Sequence, residues 1–439
     1  MGDAEGRGSY RLAYADALAS VLASCAHRTT PVVTIALTDA LGHALAAPVT
    51  SPVALPPWDN SGMDGYAVRR ADVLGAGAAA PRVLGVIGTS VAGSDPRQLP
   101  ALTDGHAVRI MTGAPIPPGA DAVIRVEDTE VSTDASAETE GASVRILNDR
   151  DAQGRGNIRA RGEDVQPGVP LFAAGTSVRS AHLGLLASIG YAQVAVHRAP
   201  RVTVLSSGDE LVTVEQFDQV LAGSRIVSSS SYALPALLRS AGAEVTMAPL
   251  VNDTLDAMVQ AMDTALTGGC DLLVTTGGVS VGAHDYTRDA LAALGGVQQF
   301  WRARIRPGGP IGTGMVRDIP WIGLPGNPVS TLVTGMLFAW PLLRQLGGHG
   351  RTCHVKLPVR MTNAAETPAA LTHFLRAQLA VGHDGQLEAT ITGAQGSNLQ
   401  QSIALADALI EVPEPVGRVE AGMTLGAMLI PDGPFVAKA

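Results

Sequence analysis

Hydrophobic and polar residues repeat with two different periods along the chain, and the change of period marks its organisation. From Tyr10 to His27 apolar residues recur at helical spacing, which predicts one amphipathic helix. Between residues 51 and 164, short runs such as Arg82–Gly88 and Ala107–Met111 are separated by Gly and Pro, which predicts a small β domain. The Ser-, Thr- and Glu-rich segment Glu130–Ser143 has neither period, and we predict a loop or hairpin tip there.

From Arg201 onward, predicted strands and helices alternate. The predicted strands are Arg201–Leu205, Glu244–Val251, Asp271–Thr275 and Trp321–Gly323, with an extended run at Phe300–Ile305, and the predicted helices are Tyr232–Ser240, Leu255–Leu266, Thr287–Leu294 and Val329–Leu346. This alternation is typical of a doubly wound α/β domain with a mostly parallel sheet, whose ligand crevice lies beyond the carboxyl ends of the strands. After Gly347, the alternating apolar positions from Val355 to Met361 predict a last small β domain.

Composition and charge narrow the classes of function. Charged residues make up 16% and hydrophobic residues 46%, as in a globular protein. The 31 basic and 40 acidic residues give a net charge of −9 without a Lys or Arg run, which argues against a nucleic-acid surface or a polybasic membrane patch. Aromatic residues are only 4%, which disfavours a stacking platform for single strands.

Cysteine usage and apolar stretches indicate the compartment. Cys25, Cys270 and Cys353 are widely separated, so neither a disulfide framework nor a zinc site is expected, and a reducing cytoplasm fits best. The N-terminus does not resemble a secretory signal. The stretch Thr331–Leu343 contains Pro341 and is shorter than the ~18 apolar residues that a membrane span requires. We therefore expect no transmembrane segment.

Three Gly-containing segments follow predicted strands, so they converge on one edge of the sheet. In Thr275–Thr287, glycine backbone amides at a strand-to-helix turn can cradle phosphate, although a simple tight turn with Asp285 as N-cap is the alternative. In Gly323–Ser330, Asn327 is expected to be an N-cap and Pro328 the first helical residue, and capping alone also explains the pattern. Ser206–Glu210 adds hydroxyl and carboxylate groups to the same edge.

Three further segments carry charge without a settled role. Arg302, Arg304 and Arg306 alternate along the extended run, so we expect one strand face of guanidiniums suited to an oxyanion, or else a solvated edge strand. The loops Pro56–Ala67 and Arg159–Asp164 concentrate carboxylates beside glycines or arginines, and turns with surface ion pairs would explain both. The ten histidines show no metal-ligand spacing, and no nucleophile elbow is present, so a hydrolase is disfavoured.

Together these motifs resemble the molybdopterin molybdenumtransferases, the MoeA family, which includes the E domain of gephyrin. The motifs that match in order and spacing are Asp59–Val68, Arg109–Gly119, Arg159–Val165, Ser207–Leu211, Gly277–Tyr286 and Gly323–Ser330. The resemblance runs from about Tyr10 to Gly433.

The resemblance implies a multidomain α/β and β fold. Its parts are an elongated first domain at residues 1–50 and 165–199, an inserted β domain at 51–164, an α/β molybdopterin-binding domain at 200–348 and a C-terminal β-barrel at 349–439. It also implies a homodimer whose active cleft lies between the α/β domain of one subunit and the inserted domain of the other.

The implied reaction inserts molybdenum from molybdate into adenylylated molybdopterin and releases AMP, with Mg2+ as cofactor. The catalytic residues implied here, or suggested by the arginine run, are Asp64, Asp164, Glu210, Asp253, Asp285, Arg302 and Arg306. Asp64 would reach in from the second subunit, and Asp285 with Glu210 would bind the magnesium. Binding of phosphate or pterin would fall to Gly277, Gly278, Ser280, Gly326, Asn327 and Ser207. Several carboxylates near phosphate and molybdate would repel them, so a cation or arginines must offset that charge.

Two positions depart from the family pattern. Where the family has lysines ending in a Lys-Pro-Gly-Lys-Pro-like run, this chain has Arg302, Arg306 and Gly309, so one charge is lost. Ser228–Ser230 replaces the usual Asp-Ser/Thr-Asn and removes an acid and an amide.

Three functions follow from these observations. The first is the molybdenum-inserting enzyme, with a molybdopterin adenylyltransferase and molybdoenzymes as its partners. The second is a gephyrin-like dimeric scaffold that binds a partner protein. The two departures favour it, and the retention of all five acids of the implied site opposes it. The third is adenylyl transfer, which the Asp64 loop and the inserted domain oppose. The sequence does not separate molybdate from tungstate.

Overall fold

The computed structural model describes residues 11–131, 141–279 and 286–431. The chain forms two compact units: a larger one of residues 1–47, 174–180 and 193–439, and a smaller one of residues 48–173 and 181–192. The four-domain limits given above remain a prediction.

Ten α-helices lie in the described part of the chain. They are α1 (Tyr14–Ala23), α2 (Arg70–Val73), α3 (Ser180–Ser188), α4 (Phe217–Leu221), α5 (Ser230–Ser240), α6 (Leu255–Thr267), α7 (Tyr286–Ala293), α8 (Pro328–Thr334), α9 (Trp340–Leu346) and α10 (Gln400–Ala404). A π-helical turn, Gly335–Ala339, joins α8 to α9, so the helix predicted over 329–346 is continuous but not uniform. None of the described helices is long and apolar enough to span a bilayer.

A seven-stranded sheet forms the centre of the larger unit. Its strands are β1 (Arg11–Leu12), β14 (Arg201–Ser206), β17 (Glu244–Met247), β18 (Leu272–Thr276), β19 (Val297–Ala303), β21 (Pro310–Val316) and β22 (Ile319–Leu324). Their order is β1-β19-β21-β22-β18-β14-β17, and only β21 runs against the others. The predicted doubly wound, mostly parallel sheet is confirmed.

Both faces of this sheet are covered by hydrophobic cores, as a doubly wound fold requires. On one face, Met258 and Met262 of α6 pack with Leu291 of α7. On the other, α1, α5, α8 and α9 pack together with Phe374 and Leu409 of the C-terminal region. The larger unit therefore has one core that runs from the α/β sheet into the C-terminal β structure.

The C-terminal sheet closes on itself. Its strands are β20 (Ile305–Arg306), β23 (Lys356–Met361), β25 (Thr372–Val381), β26 (Leu387–Ile391), β27 (Ala408–Val412) and β29 (Thr424–Leu429). The pairings β25–β26–β23–β29–β27–β25 form a ring of five strands, and β20 adds to β25. This is the expected C-terminal β-barrel.

The smaller unit is built on a six-stranded sheet. Its strands are β5 (Gly65–Val68), β6 (Gly77–Ser90), β7 (His106–Ile110), β8 (Ala122–Arg125), β9 (Thr129–Val131) and β10 (Ser143–Asn148). The ends of the predicted loop Glu130–Ser143 belong to the antiparallel pair β9–β10, and residues 132–140 lie outside the described residues.

The remaining strands form five short pairs. These are β2 (Val32–Ala36) with β13 (Gln193–His197), β3 (Val49–Thr50) with β12 (Pro170–Phe172), β4 (Asn60–Ser61) with β11 (Ile158–Arg159), β15 (Leu211–Val212) with β16 (Ile226–Val227), and β24 (Ala365–Glu366) with β28 (Arg418–Val419).

Two sequence predictions were wrong in detail. The first helix begins at Tyr14, not Tyr10, because Arg11 and Leu12 are extended and pair with Arg302 and Ala303 of β19. Strand β21 was not predicted at all, since Pro310, Gly312 and Gly314 indicate a turn.

Those glycines are explained by packing. A Cβ at Gly312 would lie 2.6 Å from the Trp321 ring and 2.8 Å from the Trp301 ring, so the stacked tryptophans require a strand position without a side chain.

Candidate functional site

The ends of three parallel strands meet at one edge of the central sheet. Ser207 follows β14, Gly277 follows β18 and Gly326 follows β22. Gly277 has φ +86°, and a Cβ there would lie 2.9 Å from the Ser207 carbonyl oxygen. A Cβ at Gly326 would lie 3.5 Å from the Gly277 Cα. The structure therefore brings these three residues together, and we call this place the strand-end crevice.

Acidic residues line the same edge. The backbone N–H of Asp209 donates to the Asp253 carboxylate at 3.3 Å, and the N–H of Asp253 donates to the Asp209 carboxylate at 3.1 Å. These two bonds tie the Asp209 and Asp253 loops together, and the exposed Glu210 directly follows Asp209. Asp209 was not among the predicted site residues, although its place in the Ser206–Glu210 motif, one residue before Glu210, could have indicated it.

Hydroxyl groups form the floor of the crevice. Thr276 Oγ1 donates to Ser206 Oγ at 2.9 Å, and Ser231 Oγ donates to the same oxygen at 3.3 Å. Ser228 Oγ lies 2.6 Å from Ser231 Oγ. Ser228, the first residue of the serine run 228–230, thus belongs to a hydroxyl network that ties α5 to the ends of β14 and β18.

Asn327 is the N-cap of α8 and Pro328 lies in its first turn, as predicted. The Asn327 side chain does not accept a capping hydrogen bond from the helix, however. The Asn327 amide donates instead to Ser397 Oγ at 3.2 Å, which connects the crevice to the segment before α10.

The predicted row of three arginines is broken. Strand β19 ends at Ala303 and β20 begins at Ile305, so Arg304 lies at a bend between them. Arg304 Nε bonds to both carboxylate oxygens of Glu414, at 3.1 and 3.2 Å. Arg304 therefore forms a structural ion pair with Glu414. The prediction that Arg302, Arg304 and Arg306 share one strand face was wrong.

Arg302 and Arg306 line one cavity of about 390 Å³, which we call the guanidinium cavity. Arg11, Asn327, Ser330 and Ser397 also line it, and no Asp or Glu is among its described lining residues. The crevice and this cavity are neighbours, because Gly326 belongs to the first while Pro325 and Asn327 line the second.

Arg11 is a lining residue that the sequence did not indicate. In the β1–β19 pair, Arg11 stands directly beside Arg302, and like charges placed opposite each other on neighbouring strands are destabilising. Gly309, where the family carries a lysine, lines the same cavity. Arg11 thus supplies a cation to the cavity in which Gly309 supplies none.

Arg376 adds a buried positive charge nearby. Its side chain is only 1% exposed, and it donates to Ser402 Oγ and the Gly396 carbonyl, both at 3.1 Å. Among the described residues it has no carboxylate partner. Burial first, and then the charge of Arg306, lower the pKa of Arg376 to about 10.

Two predicted acids lie in the smaller unit. Asp64 Oδ1 accepts bonds from the backbone N–H of Thr112 at 2.6 Å and from its hydroxyl at 2.8 Å. These bonds, and then the charge of Arg109, lower the pKa of Asp64. The Asp59–Val68 and Arg109–Gly119 motifs are therefore one structure, fixed further at Gly65, where a Cβ would overlap the Ile124 carbonyl.

The cavity that Asp164 lines does not include Asp64. Asp164 is exposed, and this cavity of about 800 Å³ is also lined by Asp59, Arg161 and Glu163. Gly278 directly follows Gly277 and has φ +62°. The predicted residues Ser280 and Asp285 lie outside the described residues.

Comparisons with known proteins agree with this architecture. Residues 12–190 match the MoeA N-terminal region (domain I and II), residues 203–345 a probable molybdopterin binding domain, and residues 358–429 the MoeA C-terminal region (domain IV).

The chain is 35% identical to the molybdopterin molybdenumtransferase of Haemophilus influenzae over 376 residues, 84% of this chain and 87% of that protein. It is 38% identical to the Nostoc protein of the same name over 296 residues, 67% of this chain and 64% of that protein.

A solved structure of the molybdopterin biosynthesis MoeA protein from Pyrococcus horikoshii superposes with a TM-score of 0.75 at 27% identity, covering 96% of this chain and 99% of that one. Together with the family models and the curated relatives, this agreement extends over both units, and the chain belongs to the MoeA family of molybdopterin molybdenumtransferases.

Proposed function

We propose that this protein is a molybdopterin molybdenumtransferase, which transfers molybdenum from molybdate to adenylylated molybdopterin and releases AMP during molybdenum cofactor biosynthesis. The observation that carries the proposal is the pairing of two adjacent sites, the strand-end crevice and the guanidinium cavity, on either side of residues 325–327. The family membership supplies the chemical identity of the two substrates.

The strand-end crevice suits the phosphate and pterin part of the substrate. The left-handed turn at Gly277 and Gly278 leaves the backbone without side-chain cover, which is the geometry that phosphate-binding loops use. The Gly277 N–H itself donates to the Leu324 carbonyl at 3.1 Å, so the amide that this turn offers to a phosphate is that of Gly278. Glu210, Asp209 and Asp253 would hold protons or cations at the pyrophosphate, and Ser207 would orient it through its hydroxyl.

The guanidinium cavity suits molybdate. Arg302, Arg306 and Arg11 offer forked N–H donors to a tetrahedral dianion, and Ser330 and Asn327 add neutral donors. The buried charge of Arg376 raises the positive potential further. Water cleaves the pyrophosphate bond and AMP leaves, and the two dithiolene sulfurs replace one molybdate oxygen, which departs as water with the two thiol protons. These arginines would hold the oxyanion in place during that exchange.

Mg2+ belongs to the proposal because of the resemblance. Magnesium is usually held by one or two carboxylates together with substrate phosphates, and it polarises the pyrophosphate oxygen when bound. Among residues 11–131, 141–279 and 286–431 no group of three or more His, Cys, Asp or Glu side chains could hold a metal alone. Glu210 with Asp285 would form a site of the two-carboxylate kind, completed by the substrate.

The homodimer also belongs to the proposal. Asp64 and Asp164 lie in the smaller unit, whereas Glu210, Asp253, Arg302 and Arg306 lie in the larger one. Asp64 has an ordered, ionised carboxylate on an exposed loop, which suits a residue that completes the cleft of a second subunit. A molybdopterin adenylyltransferase would supply the substrate and molybdoenzymes would accept the product.

A cytoplasmic location is proposed on the cysteines. Cys25 and Cys270 are buried and unpaired, and Cys353 is exposed and unpaired, which fits a reducing compartment.

The test is AMP release from adenylylated molybdopterin with molybdate and magnesium. We expect molybdate-dependent release by the unaltered protein and its loss in Glu210→Gln. Asp256→Asn is the matched control, because Asp256 is an exposed acid in the first turn of α6 outside the crevice residues, and it should retain release. Equal release without molybdate would overturn the proposal.

A scaffold that binds a partner protein is the second candidate. A mainly apolar cavity of about 350 Å³ lies between α5, α8 and α10 and the barrel, lined by Leu237, Leu332, Met336 and Ile403. Such a cavity suits an apolar side chain of a partner segment. Binding of adenylylated molybdopterin without AMP release would favour this function.

A further inference from the structure

A second polar cavity lies next to the amino-terminal ends of β14 and β17, at the end of the central sheet opposite the strand-end crevice. Its volume is about 270 Å³, and it is lined by His43, His197 and His349 together with Arg239 and Arg344. Arg198 and Ser240 also line it, and no Asp or Glu is among its described lining residues. We call it the imidazole cavity. Nothing in the proposed transferase reaction uses it.

The positive charge of this cavity is only partly compensated. Arg198 is neutralised by both carboxylate oxygens of Asp271, each at 2.9 Å. Arg344 donates to Ser177 Oγ at 2.7 Å, but its Nε is buried without a partner among the described residues. Arg239 reaches only the Val245 carbonyl, at 3.4 Å. Neither Arg239 nor Arg344 forms an ion pair with a described acid.

Helix ends explain part of this arrangement but not all of it. Arg239 and Arg344 lie in the last turns of α5 and α9, where the helix dipole favours cations. The dipole gives the Arg344 Nε no acceptor, however. A buried guanidinium nitrogen without a partner is uncommon in folded proteins, and it leaves the positive charge of Arg344 incompletely compensated beside the cavity.

Two imidazoles present acceptors rather than donors. His43 Nδ1 lies 3.1 Å from the His197 carbonyl, and His197 Nδ1 lies 2.9 Å from the Thr30 carbonyl. A carbonyl oxygen only accepts, so each Nδ1 carries a proton, and the lone pair of the ring in its neutral form is then on Nε2. Neither Nε2 has a described partner.

His349 shows the sign of the local field. Its side chain is 7% exposed, and a Cβ at Gly347 would lie 3.5 Å from its Nε2, so the glycines make room for the ring. Burial first, and then the charge of Arg344, lower the pKa of His349 to about 3. Burial disfavours a charge of either sign, so only the Arg344 contribution shows that the local field is positive and favours an anion.

We propose that the imidazole cavity binds inorganic hydrogen phosphate. Arg239 and Arg344 donate to its anionic oxygens, and an imidazole Nε2 of His43 or His197 accepts the bond from its remaining O–H. The volume suits a small ion, since it falls below the about 300 Å³ at which pockets begin to hold drug-sized ligands.

This chemistry also sets the selectivity. Near pH 7.5 inorganic phosphate keeps one O–H, whereas sulfate has none and a phosphate monoester, with its second pKa of about 6, has lost it. Sulfate and methyl phosphate leave the imidazole acceptors unpaired, which costs affinity because an unpaired buried polar group is penalised.

The test is a titration of the whole 15N-labelled protein with phosphate near pH 7.5, followed by the imidazole signals of its ten histidines. We expect phosphate to shift the signals of His43, His197 and His349, assigned with His43→Gln, and sulfate or methyl phosphate to need at least about tenfold higher concentration. Arg239→Gln should raise the phosphate Kd about tenfold, as expected for loss of one bond to a charged group.

Matched variants separate this cavity from the guanidinium cavity. Arg302→Gln changes an arginine of the other cavity and should leave the phosphate response of His43 and His349 unchanged. Arg344→Gln should weaken binding further than Arg239→Gln, and the exposed Arg239 carries the test where the Arg344 variant does not fold. Unmoved signals, or equal shifts with sulfate and methyl phosphate, would overturn the proposal, and neither outcome depends on AMP release.

Discussion

The strand-end crevice and the guanidinium cavity are neighbours, yet they are built in opposite ways. The crevice consists of short motifs, each placed by the end of one parallel strand, so neighbouring residues in sequence remain neighbours at the site. The cavity collects side chains from β1, β19, β20, the start of α8 and the segment near Ser397. Local turns specify the crevice, whereas the register of strands distant in sequence specifies the cavity. Substitutions in the two sites should therefore change different properties of the protein.

The largest effect is expected in the crevice. Gly277→Ala places a Cβ 2.9 Å from the Ser207 carbonyl at φ +86°, so the turn must move. A displacement of about 1 Å there should lower kcat/KM for AMP release about 100-fold. Binding of molybdate to the guanidinium cavity, measured by calorimetry, should change little, and its loss would show that the two sites are not separately built.

The next effect is expected in the cavity. Arg306→Gln removes a charged donor worth about 1.5–3 kcal/mol to a bound oxyanion. The KM for molybdate should rise at least about tenfold with kcat nearly unchanged, because the crevice is intact. Arg306→Lys should recover part of the loss, and an unchanged KM in both variants would remove Arg306 from the oxyanion site.

The free energy of unfolding should depend on pH through His349, which belongs to neither the crevice nor the guanidinium cavity. The folded-state pKa of His349 is lowered to about 3, so its contribution to stability is present above its unfolded pKa of about 6.5 and is lost as the pH falls. Between pH 7 and pH 5 the free energy of unfolding should decrease by about 2 kcal/mol in phosphate-free buffer. Urea unfolding of His349→Gln should show a flatter profile, and an unchanged slope would assign the effect to other groups.

The smallest effect concerns Arg11. Arg11→Gln relieves a like-charge pair with Arg302, so in the absence of molybdate the variant should be more stable by about 0.2–1 kcal/mol. With saturating molybdate the order should reverse, because the lost guanidinium also weakens binding. Thermal unfolding with and without molybdate measures the stability difference under both conditions. Arg28→Gln, which replaces another exposed arginine, is the control.

The difference between local turns and distant contacts also explains which features of the fold and the site could be predicted from the sequence. The turn at Gly277, the N-cap at Asn327 and the parallel strands follow from local patterns, so they could be predicted. The pairing of Asp64 with Thr112 could be expected only from the family motifs, since 48 residues separate the two.

The missed features depend on contacts distant in sequence. Arg11 looked helical because Leu12 fits the period of α1, and only pairing with β19 makes it extended. The sequence pattern did not distinguish Arg304 from Arg302 and Arg306, because its ion-pair partner Glu414 is 110 residues away. Arg376 lies in an apolar-looking strand, and no local pattern distinguishes a buried arginine from a surface one.

The closed ring of the C-terminal barrel limits how another protein can attach to it. Every strand of the ring has a neighbour on both sides, so the ring offers no free edge for a peptide to join as an additional strand. In the described part of the central sheet, β17 does form an edge. A scaffold partner at the barrel would therefore have to bind through side chains, as an anchor in a pocket, and its affinity would depend on a few apolar residues rather than on backbone hydrogen bonds.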